Sequence, residues 1–350
     1  MVQMTYAEAV RDALRTALSI DEKVMCYGLG VTDPKAIFGT TSGLVEKFGP
    51  NRVFDVPISE NALTGIGLGL GIEGFRPVMV HQRLDFFLLA MDQLVNGAAK
   101  WHYMFGGTMK APITIRLVVG RGWGQGPTHS QNLQSWFAHI PGLIVVAPTT
   151  PADAKGLLLS SIFDDNPVIF IEHRWLHNQI GEVPEGDHRI PIASANTVAE
   201  GGDLTIVGDT MMVVEALRAN QDLHAMGIYA DIIDLRSVSP IDWPTIMTSI
   251  KKTGRLMALD TGAATGSVAG EIIARAAMEC FGDMKVPPTR IAMPDVPVPT
   301  SRALTKDFYP DHHRITATAC AMMGKPGPVV DEGSPSTPHD VPGEWFKGPF

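Results

Sequence analysis

The chain has 350 residues, 45% of them hydrophobic and 19% charged, with a formal net charge of −9. That length has room for two domains, since single cores rarely grow much past about 250 residues. The acidic balance excludes the basic footprint of a nucleic-acid binder, and no run of about 18 apolar residues is present to cross a membrane.

From the first residues, Thr5 followed by Glu8 forms a capping-box signature ahead of a helix over residues 4–18. That helix is charged throughout and lacks the apolar run of a signal peptide. The three cysteines, Cys26, Cys280 and Cys320, are odd in number and far apart. They suggest neither a disulfide framework nor a zinc site, and the expected location is cytoplasmic.

Strand and helix then alternate. Strands are predicted at 23–28, 52–57, 76–80, 111–119, 143–147 and 167–172, and helices at 39–48, 86–103 and 151–163. The stretch Phe54-Asp-Val-Pro-Ile-Ser-Glu60 reads as a strand ending on a carboxylate. The helix after it carries glycines at 65, 67, 69, 71 and 74. Each interior glycine costs a helix roughly 0.5–1 kcal/mol, so this helix is expected to be approached closely by another backbone or a ligand. Glu60 falls at its N-terminal end, at the edge of a parallel sheet, where α/β proteins place their chemistry.

Residues 177–200 read as a polar, strand-poor linker. A second alternating unit follows, with strands at 204–208, 228–235, 255–260 and 288–292 and helices at 211–226, 243–251 and 266–281. The fold class expected is α/β with two doubly wound domains. The boundaries are 1–178 for the first domain, 179–200 for the linker, 201–323 for the second domain and 324–350 for a Pro/Gly-rich tail. That tail is too poor in apolar residues to bury a core; its Trp345, Phe346 and Phe350 either anchor on a neighbouring subunit or hang free.

Ten motifs occur in order and spacing. They include Val56-Pro-Ile-Ser-Glu60, Gly74-Phe-Arg-Pro77, Met91-Asp-Gln93, Thr128-His-Ser-Gln131, Asp153-Ala-Lys-Gly156 and Asp295-Val-Pro-Val-Pro299. Together they resemble the β subunit of the thiamine-diphosphate-dependent 2-oxoacid dehydrogenases, of the pyruvate, branched-chain and acetoin type, from about residue 4 to 322. The resemblance implies a transketolase-like pyrimidine-binding domain followed by a transketolase C-terminal domain. It also implies an α2β2 assembly with an α subunit.

In that family a buried Glu hydrogen-bonds N1′ of the cofactor's aminopyrimidine, so that the 4′ nitrogen becomes the base beside the thiazolium C2. Glu60 matches that residue. Phe86 matches the ring that stacks on the pyrimidine, Gln82 a residue of the same pocket, and His129 the loop histidine that serves the substrate or the incoming lipoyl group. A structural potassium ion is implied at the carbonyls of Ile113, Ser161, Ile162, Asp164 and Asn166. No Gly-Asp-Gly motif for Mg²⁺ and diphosphate occurs in the chain, so the α subunit is expected to supply that half of the site.

The stretch His81-Gln-Arg-Leu-Asp-Phe86 departs from the family pattern, as does the loop Gly120-Arg-Gly-Trp-Gly-Gln-Gly with its Arg121 and Trp123. His81, Arg83 and Arg121 either grip an anionic substrate through charge-assisted bonds or belong to salt-bridged scaffold. The pair His173 and His177, at i and i+4, reads as structural rather than as a metal pair. The leading reading is oxidative decarboxylation of a 2-oxo acid with acyl transfer to lipoamide on an acyltransferase core. The alternatives are a split transketolase or acyloin-type synthase with an aldehyde acceptor, and a non-catalytic scaffold subunit.

Overall fold

A computed structural model describes residues 1–33, 35–121, 126–305 and 307–327. The described chain divides into two compact units, one of Met1–Gly120 with Trp136–Ile192, the other of Arg121–Ser135 with the described residues from Ala193 to Gly327.

In the first unit six strands run parallel in the order Ile144–Val146, Val168–His173, Thr114–Val119, Arg76–His81, Val24–Gly28, Val53–Asp55. The three central strands 76–81, 114–119 and 168–173 are buried almost throughout. Strands covered on both faces read as near-continuous Val/Ile/Leu runs, and these do. Helix Tyr6–Ile20 packs against helix Pro151–Ile162. Lys155 lies between them, its Nζ 2.7 Å from Asp12 Oδ2 and donating to the Pro184 carbonyl at 2.6 Å. The capping box closes as expected: Glu8 N donates to Thr5 Oγ1 at 3.2 Å, and Thr5 N donates to Glu8 Oε2 at 2.8 Å.

The glycines of helix Glu60–Ile72 sort by face. A methyl at Gly67 would sit 2.3 Å from the Tyr27 hydroxyl and 2.7 Å from Ile113 Cδ1, and one at Gly71 would sit 3.2 Å from the Pro112 ring. These two positions, four apart and on one face, let the helix lie close on the sheet. Gly69 meets nothing within 4 Å.

Three expectations are corrected here. The helix predicted over 39–48 spans only Leu44–Phe48, because Gly39 and the N-cap Gly43 both take positive φ. The single helix predicted over 86–103 is a succession of Leu84–Phe87, a 3-10 turn at Leu88–Ala90, a π-helical stretch at Gln93–Ala98 and Ala99–Met104. Gly97 lies in the π stretch, where a β-carbon would come within 3.0 Å of Leu68. Residues 177–200 hold two strands: Ile180–Val183 pairs antiparallel with Val2–Thr5, and Asn196–Ala199 with Ala230–Asp234.

The second unit has a five-stranded sheet in the order Thr289–Met293, Leu256–Ala263, Leu204–Gly208, Ala230–Asp234, Asn196–Ala199, parallel except for the last. Its core gathers Leu204, Ile206, Leu223, Ile232, Met257 and Ile291. Helix His312–Met322, which the sequence reading passed over, adds Ile315, Ala319 and Cys320 to it. Trp123 and the residues Trp345, Phe346 and Phe350 lie outside the described residues. Cys26, Cys280 and Cys320 are free and buried. Among the described residues no helix is long and apolar enough to cross a membrane.

Candidate functional site

The parallel order of the first sheet aligns the carboxyl ends of its strands, and Glu60, Gln82 and Phe86 follow two of those ends. Strand Val53–Asp55 leads through Ser59 into helix Glu60–Ile72. Glu60 is the first helical residue, 6% exposed. Among the described residues none hydrogen-bonds its carboxylate, while its carbonyl accepts from Thr64 Oγ1 at 2.8 Å. A carboxylate this buried normally has a partner.

Asp55 holds the neighbouring loop, accepting from Val31 N at 2.6 Å and from the Thr32 hydroxyl. At the end of the adjacent strand Val24–Gly28, Gly30 takes φ +78°, and a methyl there would meet Gln82 Nε2 at 2.5 Å. Gln82 is exposed and Phe86 half-buried, whereas the next residue, Phe87, is fully buried. The 3-10 turn after Phe87 packs on helix Glu60–Ile72. Glu60, Gln82 and Phe86 therefore share one sheet edge.

His81 corrects an expectation. It is 1% exposed, neither ring nitrogen has a hydrogen-bond partner, and its ring packs edge-on against Phe87 at 5.0 Å. Burial pushes its pKa down to about 4, so the imidazole is neutral at pH 7 and brings no charge to grip an anion. Arg83, the N-cap of helix Leu84–Phe87, is buried, and burial lowers it to about 10, with Asp85 opposing and Arg174 reinforcing the shift. Arg174, unnoticed in the sequence, follows strand Val168–His173, stacks on Phe38 at 4.3 Å and is also lowered to about 10 by burial. Both guanidiniums stay charged at neutral pH and bring positive potential to this edge.

Within the second unit, Arg121 is committed to scaffold. Its Nη1 donates to the Pro310 carbonyl at 3.0 Å, its Nη2 is 3.9 Å from Glu215, and it lies over the Tyr309 ring at 5.0 Å. The substrate-gripping alternative for Arg121 is thereby set aside. His129 is half-buried, with Nδ1 2.9 Å from Thr128 Oγ1.

The positions expected to hold potassium converge on Arg76. Its Nη1 donates to the carbonyls of Ile162 at 3.2 Å and Asp164 at 2.9 Å. The Ser161 carbonyl accepts from Thr114 Oγ1, and that of Ile113 from Val168 N. Asn166 binds Asp164 Oδ1 through both its backbone N and its Nδ2. The carbonyls of Ile113, Ile162 and Asp164 each keep a second lone pair, whereas that of Ser161 also accepts from Asp164 N at 3.3 Å. His173 and His177 are not a metal pair: His173 Nδ1 accepts from Trp175 N at 3.2 Å, and His177 Nε2 faces Glu172 at 3.4 Å.

One cluster escaped the sequence reading. Asp209, Asp234 and Asp260, all buried, lie at the carboxyl ends of three adjacent strands of the second sheet. Asp260 accepts from Gln134 Nε2 at 2.7 Å and from Gly262 N at 2.7 Å. Burial, reinforced by the Asp260 charge, pushes the Asp209 carboxyl well above the usual range. Three carboxylates some 25 residues apart in sequence give no local signal; only the parallel register unites them.

Two family models cover most of the chain: transketolase, pyrimidine binding domain, over residues 2–179, and transketolase, C-terminal domain, over residues 193–315. The β subunit of the pyruvate dehydrogenase E1 component of Bacillus subtilis is 39% identical over 324 residues, 92% of this chain and 99% of that one. Its counterpart from Rhizobium meliloti is 41% identical over 93% of this chain and 71% of the relative. The chain belongs to the E1 β-subunit family of the 2-oxoacid dehydrogenases.

The β subunit of acetoin:2,6-dichlorophenolindophenol oxidoreductase from Cupriavidus necator is as similar, 42% identical over 90% of this chain and 96% of that one. A split-gene transketolase, solved as an inactive beta4 tetramer, superposes with a TM-score of 0.75 at 21% identity. It covers 92% of this chain and 98% of its own, and establishes the fold. The transketolase-like E1 family is thiamine-diphosphate dependent.

Proposed function

We propose that this chain, as an E1 β subunit, supplies the aminopyrimidine half of a thiamine diphosphate site. The observation that carries the reading is Glu60: a buried carboxyl at the sheet edge that no described residue hydrogen-bonds. When bound, the cofactor supplies the carbanion chemistry that cleaves the bond next to a carbonyl. Glu60 shares a proton with the pyrimidine N1′, in a site dry enough to strengthen that bond. Phe86 presents a half-buried ring for stacking, and Gln82 lines the edge beside Gly30. Arg83 and Arg174 raise the potential where an anionic substrate arrives. His129 hydrogen-bonds the substrate or the incoming acyl acceptor. Where potassium is present, the carbonyls of Ile113, Ser161, Ile162, Asp164 and Asn166 hold it next to Arg76.

The rest of the site comes from a partner. Without a Gly-Asp-Gly motif, the chain leaves Mg²⁺ and the diphosphate to an α subunit in an α2β2 assembly. Exposed apolar side chains support that arrangement: Ile58 and Ile66 flank and line the Glu60 helix, and Leu89 and Tyr103 follow in the next elements. Where such residues form one patch, they mark an interaction surface. The assembly decarboxylates a 2-oxo acid, or cleaves acetoin, and passes the acyl group to lipoamide on an acyltransferase core.

Calorimetric titration of thiamine diphosphate with Mg²⁺ tests the shared site, on this chain alone and mixed with the α subunit. Binding only in the mixture is expected, and tight binding to the lone chain overturns the division of the site. Glu60→Gln in the assembled complex is expected to lower dye-coupled turnover of pyruvate, branched-chain 2-oxo acids or acetoin by about 10²–10⁴-fold, the usual worth of a proton-transferring group. Unchanged turnover rejects the assignment.

A further inference from the structure

Asp222, His312 and His313 lie on the second unit and take no part in the chemistry above. Each offers one ligand atom, and the three atoms lie within 4.8 Å of one another. Asp222 sits in the last turns of helix Thr210–Ala225, and the two histidines open helix His312–Met322. These helices are fixed against each other by Ala219, Leu223, Ile315 and Ala319 in one buried cluster. Ligands carried on packed helices are positioned far better than ligands on loops.

A second carboxylate buttresses the group. Glu215 precedes Asp222 by seven residues, about two turns, and so shares its helix face. Glu215 Oε2 accepts from His312 N at 3.0 Å and lies 3.4 Å from His312 Nδ1. A carboxylate on one imidazole nitrogen fixes the tautomer and leaves the other nitrogen with its lone pair, as in the carboxylate–histidine–metal arrangement. The His312 and His313 rings are 3.9 Å apart between centroids. Arg218, on the same face, turns its guanidinium to Glu215 Oε1 at 3.2 Å.

We propose that Asp222, His312 and His313 bind a divalent first-row transition metal, zinc in the first instance, which pins helix His312–Met322 to helix Thr210–Ala225. Two imidazoles and one carboxylate, with no thiolate, suit Zn²⁺, Co²⁺, Ni²⁺ or Cu²⁺ rather than Mg²⁺ or Ca²⁺. Coordination at about 2.0–2.2 Å needs only side-chain rotation, because Asp222 and His313 are exposed and His312 partly so. The remaining position is open to water. The role is that of a clamp, and the site is reversible because it faces solvent.

The test is calorimetric titration of the metal-stripped full chain with Zn²⁺, paired with visible absorption on adding Co²⁺. One equivalent per chain, d–d bands from Co²⁺ and a rise in Tm with Zn²⁺ are expected. Asp222→Asn and His313→Ala, both on the surface, should each weaken binding at least tenfold, while His139→Ala, exposed on the other unit, leaves it unchanged. His312→Ala should do the same as His313→Ala; should it disturb Glu215 and fail to fold, the two surface variants decide. Absence of stoichiometric binding, or binding that survives both surface variants, overturns the proposal.

Discussion

Arg116 grips both oxygens of Glu172, Nε at 2.6 Å and Nη2 at 3.0 Å, with both side chains wholly excluded from solvent. The pair bridges neighbouring strands Thr114–Val119 and Val168–His173, where the two residues belong to one parallel ladder. Burial raises the Glu172 carboxyl, but Arg116 and His177 outweigh it and hold it at about 2. Removing one partner strands a buried charge. Arg116→Met is therefore expected to destabilise the fold by about 3–5 kcal/mol, and adding Glu172→Leu to recover most of that loss. Denaturant midpoints of the three variants check it; a double variant no better than the single shows that the cost lies in packing.

His81 makes stability depend on mildly acid pH. Its folded value of about 4 lies below the ordinary 6.5, so the unfolded chain takes up the proton first. Stability is complete above pH 6.5 and declines as pH falls toward 4, by about 3 kcal/mol from this group. His81→Leu replaces a ring with two orphaned nitrogens by an apolar side chain of similar volume. It should stabilise the chain at pH 7 by about 1–3 kcal/mol and flatten the decline between pH 6.5 and 4. Thermal melts across that range read both effects; an unchanged pH profile removes His81 as the cause.

Asp209 titrates in the opposite sense. Its folded pKa is raised, so the stability it contributes is present below the ordinary carboxylate range and is lost as pH rises through the folded value. Asp209→Asn is expected to raise Tm at pH 8 and to leave it nearly unchanged at pH 4. A lower Tm at both values shows that the carboxyl's contacts, such as that from Thr210 Oγ1 at 3.1 Å, matter more than its charge.

The glycine-rich helix gives a paired prediction. Gly69→Ala meets open space and should gain up to about 1 kcal/mol from helix propensity. Gly67→Ala makes the same backbone gain but drives a methyl into the Tyr27 hydroxyl and Ile113. Overpacking of about 1–3 kcal/mol should leave it net destabilised. Chemical denaturation of the two variants side by side tests this, and equal midpoints refute the close-approach account.

What could be read from the sequence follows from how local each signal is. The change from a strand ending at Asp55 to a helix opening at Glu60 is written in adjacent residues, and so is the capping box of Thr5 and Glu8. The consecutive positive φ angles at Ala36, Ile37 and Phe38 carry no compositional mark, since none of the three is Gly, Asn or Asp. The helix beginning at His312 has a low-contrast pattern, with Thr and Ala among its buried positions. For the candidate site, the place of Glu60 at the start of its helix was legible in adjacent residues. The burial that neutralises His81 was not, because it depends on Phe87 folding back over the strand end. Arg121 could be judged only once Glu215 and Pro310 were seen to surround it.

The pairing of Val2–Thr5 with Ile180–Val183 sets an order of events during synthesis. Residues 2–5 have no strand partner until nearly 180 more have been synthesised. Domains usually complete folding as units while the chain is still emerging, so closure of the first unit waits for its last strand. A fragment cut after His173 would retain every strand of the parallel sheet in that unit yet leave Val2–Thr5 with bare backbone groups, an invitation to pair with another chain. Any autonomous version of this unit therefore has to include Ile180–Val183.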